Sequence, residues 1–290
     1  MPLRGRLAPT PTGYLHVGHA RTFALAAERA RGAGLVLRIE DLDGPRCRPE
    51  FAAAAVDDLR WLGLEWSEGP DVGGPFAPYV QSGRTAWFLD VWRRLEAAGA
   101  IYPSPHSRRD VEEAGRAPHG DASSVRRPAA EPGREPIFPP ALRPRRWERA
   151  TSPGGVSWRF RVPDGRVIEF TDAVQGAVRR TAGLDFGDFV VWRRDDLTSY
   201  ELAVVADDHA MQIAEVVRGA DLLTSTARQL LLYEALDWKP PAWCHAPLVC
   251  DPAGRRLAKR DGGLAIRDLR AAGRTPAEVL TAPSAVLAPG

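Results

Sequence analysis

"GRLAPTPTGYLHVGHARTFALA", Gly5 to Ala26, is the stretch on which the reading of this chain turns. Leu3 to Ala8 predicts a short strand, a proline-threonine loop follows, and the alanine-rich run from Ala20 to Arg31 predicts a helix ended by Gly32 and Gly34. At the junction of loop and helix stand His16 and His19, two of only six histidines in the chain, with Gly18 between them. A glycine there lets the backbone approach a ligand closely, because no Cβ intervenes. A helix N-terminus presents unpaired N–H groups and the positive end of the dipole, where anions settle. Two imidazoles added to that corner are donors suited to a phosphate. Incidental capping histidines are the plainer reading, and a metal pair is disfavoured because no cysteine or third histidine lies nearby in sequence.

Outward from this stretch the pattern repeats. "LVLRIEDLD", Leu35 to Asp43, predicts a buried strand running into an acidic loop. Pro49 opens a helix to about Leu62, with Phe51, Ala55, Leu59 and Leu62 on one face. Ser82 to Ala98 predicts another, with Trp87, Val91, Trp92 and Leu95 inward. Strand, helix, strand, helix at this spacing indicates an α/β domain with a parallel sheet. From Pro103 to Gly155 the periodicity dissolves into a Pro- and Arg-rich segment, predicted to be an irregular, partly disordered insertion. Strands resume at "VSWRFRV" and "FVVWRR". "SYELAVVADDHAM", Ser199 to Met211, predicts an apolar strand ending in acids, and "AEVVRGADLL" another strand. Helices are expected over Ser225 to Leu236 and near Ile266 to Ala272. The organisation expected is 1–102 for the first half of the domain, 103–160 for the insertion and 161–290 for the second half.

The composition excludes several classes. Hydrophobic residues make up 44% and charged residues 26% of the 290 residues, an ordinary globular balance. No apolar run approaches the ~18 residues that suggest a membrane span, and the N-terminus has no apolar signal core. Cys47, Cys244 and Cys250 form no C-x-x-C pair, so a disulfide framework is not expected and a cytoplasmic enzyme is. The lack of an oligomerisation stripe favours a monomer. Net charge is only +2, but Ser104 to Phe160 holds eleven arginines against seven acids, a segment either solvated or facing a polyanion. Only two basic residues are lysines, Lys239 and Lys259. Where arginine serves almost everywhere, a lysine invites a reason.

Lys259 lies in "GRRLAKRDG", Gly254 to Gly262, a glycine-bounded loop after an apolar strand. A compact ammonium on a flexible stem can follow a moving phosphate, and such a loop can close over a nucleotide and neutralise a leaving pyrophosphate. A merely solvated basic loop is the alternative. A third group is scattered: Arg6, Glu40, Tyr200 and Arg218. Glu40 falls at the carboxyl end of a strand, where open α/β sheets bind ligands. Arg6 and Arg218 lie in apolar strand-like runs, where a guanidinium needs an anion, either a ligand or an internal carboxylate.

Together "GRLAPTPTGYLHVGHARTFALA", "LRIEDLD", "RLAKR" and "SYELAVVADDHAMQIAEVVRGADLLTSTARQLLLYEAL" resemble the glutamyl branch of the class I aminoacyl-tRNA synthetases, over most of residues 3 to 270 apart from the insertion. The resemblance implies a Rossmann-like catalytic domain with an irregular insertion and no anticodon-binding domain. The chain ends at Gly290, soon after Lys259, whereas full glutamyl-tRNA synthetases run on into helical anticodon-binding domains. That implies similarity to the stand-alone glutamyl-queuosine tRNA(Asp) enzymes, which attach glutamate to the queuosine base in the anticodon.

By the same resemblance the substrates are L-glutamate, ATP with Mg²⁺, and tRNA(Asp) carrying queuosine. His16, Gly18 and His19 would contact ATP, and Lys259 would stabilise the transition state and the pyrophosphate. Arg6, Arg218 and Tyr200 would grip a carboxylate, and Glu40 would take the ammonium group. Ala8 and Thr10 would line the glutamate end, Thr10 standing where relatives commonly have serine. Many relatives carry a zinc site in the insertion. Here Ser104 and His106 stand at the first pair of ligand positions and Phe138 and Leu142 near the second, so no zinc is expected. A nucleotidyltransferase, a glutamyl enzyme with another acceptor, and a catalytically dead RNA-binding module are the rival readings.

Overall fold

The computed structural model describes residues 3–116, 136–249 and 265–281. The order begins β1 (Gly5–Leu7), α1 (Val17–Arg29), β2 (Leu35–Leu37), α2 (Pro49–Trp61), α3 (Thr85–Ala97), as the periodicity predicts. β1 and β2 pair in parallel, with Leu7 opposite Leu37, and all six strand residues are buried. β2 ends sooner than the apolar run suggests; beyond it Ile39 makes only an isolated parallel bridge to Val80.

The insertion is more regular than its composition predicts. β3 (Ile101–Ser104) and α4 (Arg108–Arg116) precede residues 117–135, which lie outside the described residues together with the disorder expected of them. β4 (Ser157–Phe160) and β7 (Phe189–Trp192) complete an antiparallel sheet in the order β3-β4-β7. Between them β5 (Val167–Asp172) and β6 (Gly176–Thr181) form a hairpin that the sequence reading passes over.

One expectation is overturned. Tyr200–Ala210 is not a strand but a helix, α5, capped by the Ser199 hydroxyl, which accepts from the Leu202 amide. Every residue from Glu201 to Asp208 is buried. A helix sunk on all sides has no polar stripe, so an apolar run of this kind carries no 3.6-residue signal. β8 (Glu215–Gly219), α6 (Leu223–Ala235), β9 (Ala242–Ala246), α7 (Ile266–Ala271) and α8 (Pro276–Thr281) follow.

The third sheet is mixed, in the order β6-β5-β9-β8, with β6 antiparallel to β5 and β9 parallel to both β5 and β8. It meets the β1-β2 sheet at β1, where the Arg4 carbonyl accepts the amides of Ala214 and Glu215 at 2.8 and 3.1 Å. Strands from both sides of the insertion thus build one α/β face, and the carboxyl ends of β1, β2 and β8 open on the same cleft. One core runs under α1 and α2, through Leu7, Phe23, Leu37, Leu59 and Val217. The other gathers Phe88, Trp92, Trp158, Phe189, Val205 and Trp243, with Trp92 meeting Trp158 edge-on at 4.8 Å. Among the described residues no helix is long and apolar enough to cross a membrane.

Asp188 fastens the insertion to this body. Its fully buried carboxylate accepts from the Tyr102 hydroxyl at 2.5 Å, from Arg143 Nε and Nη2 at 2.7 Å each, and from the Val162 amide at 2.9 Å. Removing one partner from such a buried pair leaves the other charge desolvated and unmatched, at a cost of about 4 kcal/mol. Asp188→Ala should lower the urea-unfolding free energy by about that amount; a loss under ~1 kcal/mol would show that Asp188 does not fasten the insertion.

Candidate active site

The first turn of α1 explains the spacing of its histidines. His16 is the N-cap, and its Nδ1 accepts from the Gly18 amide at 3.1 Å. His19, one turn on, turns its own Nδ1 back to accept from the His16 amide at 3.3 Å. The two reciprocal bonds form a capping box built from imidazoles. Because Nδ1 is an acceptor in both rings, a neutral imidazole here carries its proton on Nε2. The rings stack with centroids 3.7 Å apart. Glycine is required between them: a Cβ on Gly18 would stand 2.9 Å from Cε1 of His16.

The helix end opens into a cleft of about 460 Å³. Its walls bring together Arg6, Ala8, Thr10, His16, Gly18, His19, Glu40, Tyr200 and Arg218, which are far apart in sequence. These are the predicted site residues apart from Lys259. Lys259 and its loop lie outside the described residues. The described residues flanking that loop both adjoin α1: Val249 lines the cleft, and Ala265 bridges to His16.

The charged residues divide by side of the cleft. Arg218, at the end of β8, is buried. Its Nε donates to His245 Nε2 at 3.1 Å and its Nη2 to Thr226 Oγ1 at 2.7 Å, while Nη1 lies 3.4 Å from the Tyr200 hydroxyl. The Tyr200 ring is partly exposed. Its hydroxyl loses hydration against its neighbours, which pushes its pKa up to about 12, with Arg218 pulling the other way. Arg6 donates from Nη1 to the Val217 carbonyl at 2.9 Å and lies 3.5 Å from Asp208. Glu40 brings a carboxylate to the same cleft. Burial pushes its pKa up, and Arg38 and Arg6 oppose that shift.

Sequence reasoning missed what lies beneath. Arg38 is fully buried, and its guanidinium donates to Glu40 at 2.8 Å and to Asp208 at 2.7 Å. Arg84 donates to Asp207 at 2.6 Å. The acids read as the end of a strand are therefore counter-ions of the cleft floor. The doubled acid in an otherwise apolar run was the one available signal, since buried carboxylates demand partners. Thr22, Asp221 and Leu222 also line the cleft without having been singled out.

The positions compared above with zinc ligands, Ser104, His106, Phe138 and Leu142, make other contacts. Ser104 Oγ accepts from Arg159 Nε at 3.3 Å, and the same guanidinium covers the Phe138 ring at 4.4 Å. His106 leans on Phe138, and Leu142 packs against the cluster of Tyr102, Val111 and Phe138. Among the described residues no group of three or more His, Cys, Asp and Glu could hold a metal ion.

Comparison with known proteins gives a consistent neighbourhood. Residues 2–283 match the family described as tRNA synthetases class I (E and Q), catalytic domain. The chain is 48% identical over 280 residues to the glutamyl-Q tRNA(Asp) synthetase of Symbiobacterium thermophilum, covering 96% of this chain and 84% of that protein. It is 40% identical over 283 residues to glutamate–tRNA ligase 1 of Halorhodospira halophila, there covering 57% of the relative. Among solved structures, the glutamate-tRNA synthetase from Elizabethkingia anophelis superposes with a TM-score of 0.72 at 28% identity. That match covers 90% of this chain and 53% of the solved one, so the chain spans about half its length.

The capping box makes a prediction that needs no substrate. Long-range ¹H–¹⁵N NMR should find both imidazoles as the Nε2–H tautomer. Gly18→Ala should move the His16 Nδ1 resonance away from its hydrogen-bonded position, because the ring must leave the Gly18 amide. Nδ1–H tautomers in the parent protein would contradict the arrangement.

Proposed function

Because the chain belongs to the class I tRNA synthetases (E and Q), ATP-dependent ligases of an amino acid and a tRNA, we propose that it activates L-glutamate and delivers it to queuosine in tRNA(Asp). The carrying observation is the cleft, which sets Arg6 and Arg218 with the Glu40 carboxylate beside a helix N-terminus that bears two imidazoles. The first feature suits an amino acid with an extra carboxylate, and the second suits a triphosphate. In this reading Arg6, Arg218 and Tyr200 hold the side-chain carboxylate, and Glu40 takes the ammonium. Ala8 and Thr10 line the same end.

Held so, the α-carboxylate is left to attack. One of its oxygens bonds to the α-phosphorus of ATP, the bond from that phosphorus to the bridging oxygen of the β-phosphate breaks, and pyrophosphate leaves with its charge. His16 and His19 donate Nε2–H to the phosphates, and Gly18 lets the chain approach them. Lys259 neutralises the leaving pyrophosphate; Val249 on the cleft wall and Ala265 bridged to His16, on either side of its loop in sequence, support that assignment. A queuosine hydroxyl then attacks the acyl carbon, expelling AMP. Positioning and charge stabilisation carry both steps. The described side chains offer no ready-made metal cage, so magnesium fits here as an ion carried by the nucleotide's phosphates, whose charge it offsets. The enzyme acts in the cytoplasm, where these substrates meet.

Naming the acceptor requires the direct experiment. Labelled glutamate is offered with tRNA(Asp) with and without queuosine, and with tRNA(Glu), and the label is followed after removal of the 3′-terminal adenosine. Label that needs queuosine and survives trimming is the expected result. Label at the 3′ end of tRNA(Glu) would replace this reading with minimal tRNA charging. Activation with neither RNA accepting would move the acceptor elsewhere. Lys259→Ala should cut glutamate-dependent ATP–pyrophosphate exchange by roughly 10²-fold or more while leaving glutamate affinity, measured by calorimetry, unchanged.

A further inference from the structure

Behind Arg218 lies a buried pair that the proposed chemistry does not use. His245 on β9 is opposite Arg218 on β8 in the parallel register, and its side chain is fully buried. Its Nδ1 lies 2.6 Å from Asp172 Oδ2. Asp172 also accepts the amides of Val174, Gln175 and His245 itself. Burial alone would raise the Asp172 pKa, yet these hydrogen bonds together hold it below the usual carboxylate range. An ionised carboxylate only accepts, so the shared proton sits on His245 Nδ1.

Nε2 of the neutral ring is then a bare acceptor, and it faces Arg218 Nε at 3.1 Å and Thr226 Oγ1 at 3.0 Å. Arg218 Nη2 is tied to the same Thr226 hydroxyl, and the Trp243 ring lies 5.1 Å from the guanidinium carbon. Two of its three nitrogens are therefore committed inward. Nη1, whose contact among the described residues is the 3.4 Å one to Tyr200, is the nitrogen directed to the cleft. A second ring proton would set an N–H against the guanidinium; burial and the Arg218 charge both act against it, Asp172 opposing.

We propose that Asp172 and His245 are positioning residues: they fix the histidine as an Nε2 acceptor, which orients Arg218 so that Nη1 meets the substrate's carboxylate. This rests on the reading of Arg218 as a glutamate ligand, so the test has an arm independent of substrate. A satisfied core histidine would need only to fill space and keep its hydrogen bonds, whereas a positioning histidine must keep its acceptor at the Nε2 end. Glutamine reaches that end and asparagine does not.

His245→Asn should raise the KM for glutamate roughly tenfold, as expected for the loss of one well-aimed charge-assisted hydrogen bond. The KM for ATP should stay within about twofold, and His245→Gln should recover most of the loss. Equal increases in both KM values, a fall in kcat alone, or no rescue by glutamine would overturn the proposal. Substrate-free ¹H–¹⁵N NMR of the parent protein supplies the second arm. It should show His245 protonated on Nδ1 only and a slowly exchanging Arg218 Nε–H, whether or not the variants fold. A protonated Nε2 overturns the positioning role outright. A parent protein with the expected spectrum but no glutamate-dependent exchange overturns the glutamate reading instead.

Discussion

A single guanidinium with no access to water organises this protein. Arg38 stands on the segment that continues β2, within the α/β core, and an unmatched cation there would cost several kcal/mol. Glu40 and Asp208 bond it directly, and Asp207 lies 3.9 Å away. Arg6 and Arg84 extend the network to β1 and to the turn before α3. Three guanidiniums thus face three carboxylates. Burial alone would lower the Arg38 pKa, yet Asp208, Glu40 and Asp207 hold it above its ordinary value. To supply two of those acids, the run after Ser199 has to be a helix at this depth. Glu40 and Arg6 are the ends of the network that reach the cleft, so the polarity of the cleft is set from below.

What could be read along the chain was what depends on neighbours in sequence. The loop, glycine and histidines at the start of α1 are local, and so are the faces of α2 and α3. Arg6, Glu40 and Arg218 could be picked out as charges of one cleft for a related reason: a charge within or just after an apolar strand is conspicuous. α5 was misread because helical periodicity is a contrast between a wet face and a dry one, and α5 has no wet face. Arg38 was invisible among so many arginines. His245 was equally silent, since its partners Asp172 and Arg218 are 73 and 27 residues away. Nothing in "WCHAPLV" announces them.

The described part of the insertion is packed by arginines that bond at their edges and lie on aromatic rings. Arg159 serves Ser104, the Asp188 carbonyl and the face of Phe138 at once, and Arg161 lies over both Tyr102 and Trp147. A planar cation can bond at its edge while stacking on its face, which an ammonium cannot do. The chain's preference for arginine over lysine is thus of structural use within the insertion. It also sharpens the contrast with Lys259, to which the proposed function gives the part of a point charge on a flexible stem.

The imidazole cap on α1 has a dynamic consequence. In most helices the first turn can fray and re-form without disturbing anything else, because capping and ligand contact belong to different side chains. Here His16 closes the helix through Nδ1 and faces the cleft from the same ring, and His19 repeats the arrangement one turn on. An opening of that turn dismantles the cap and this wall of the cleft in one event. The free energy that protects the Gly18 amide from hydrogen exchange is therefore also the free energy that keeps this end of the cleft assembled.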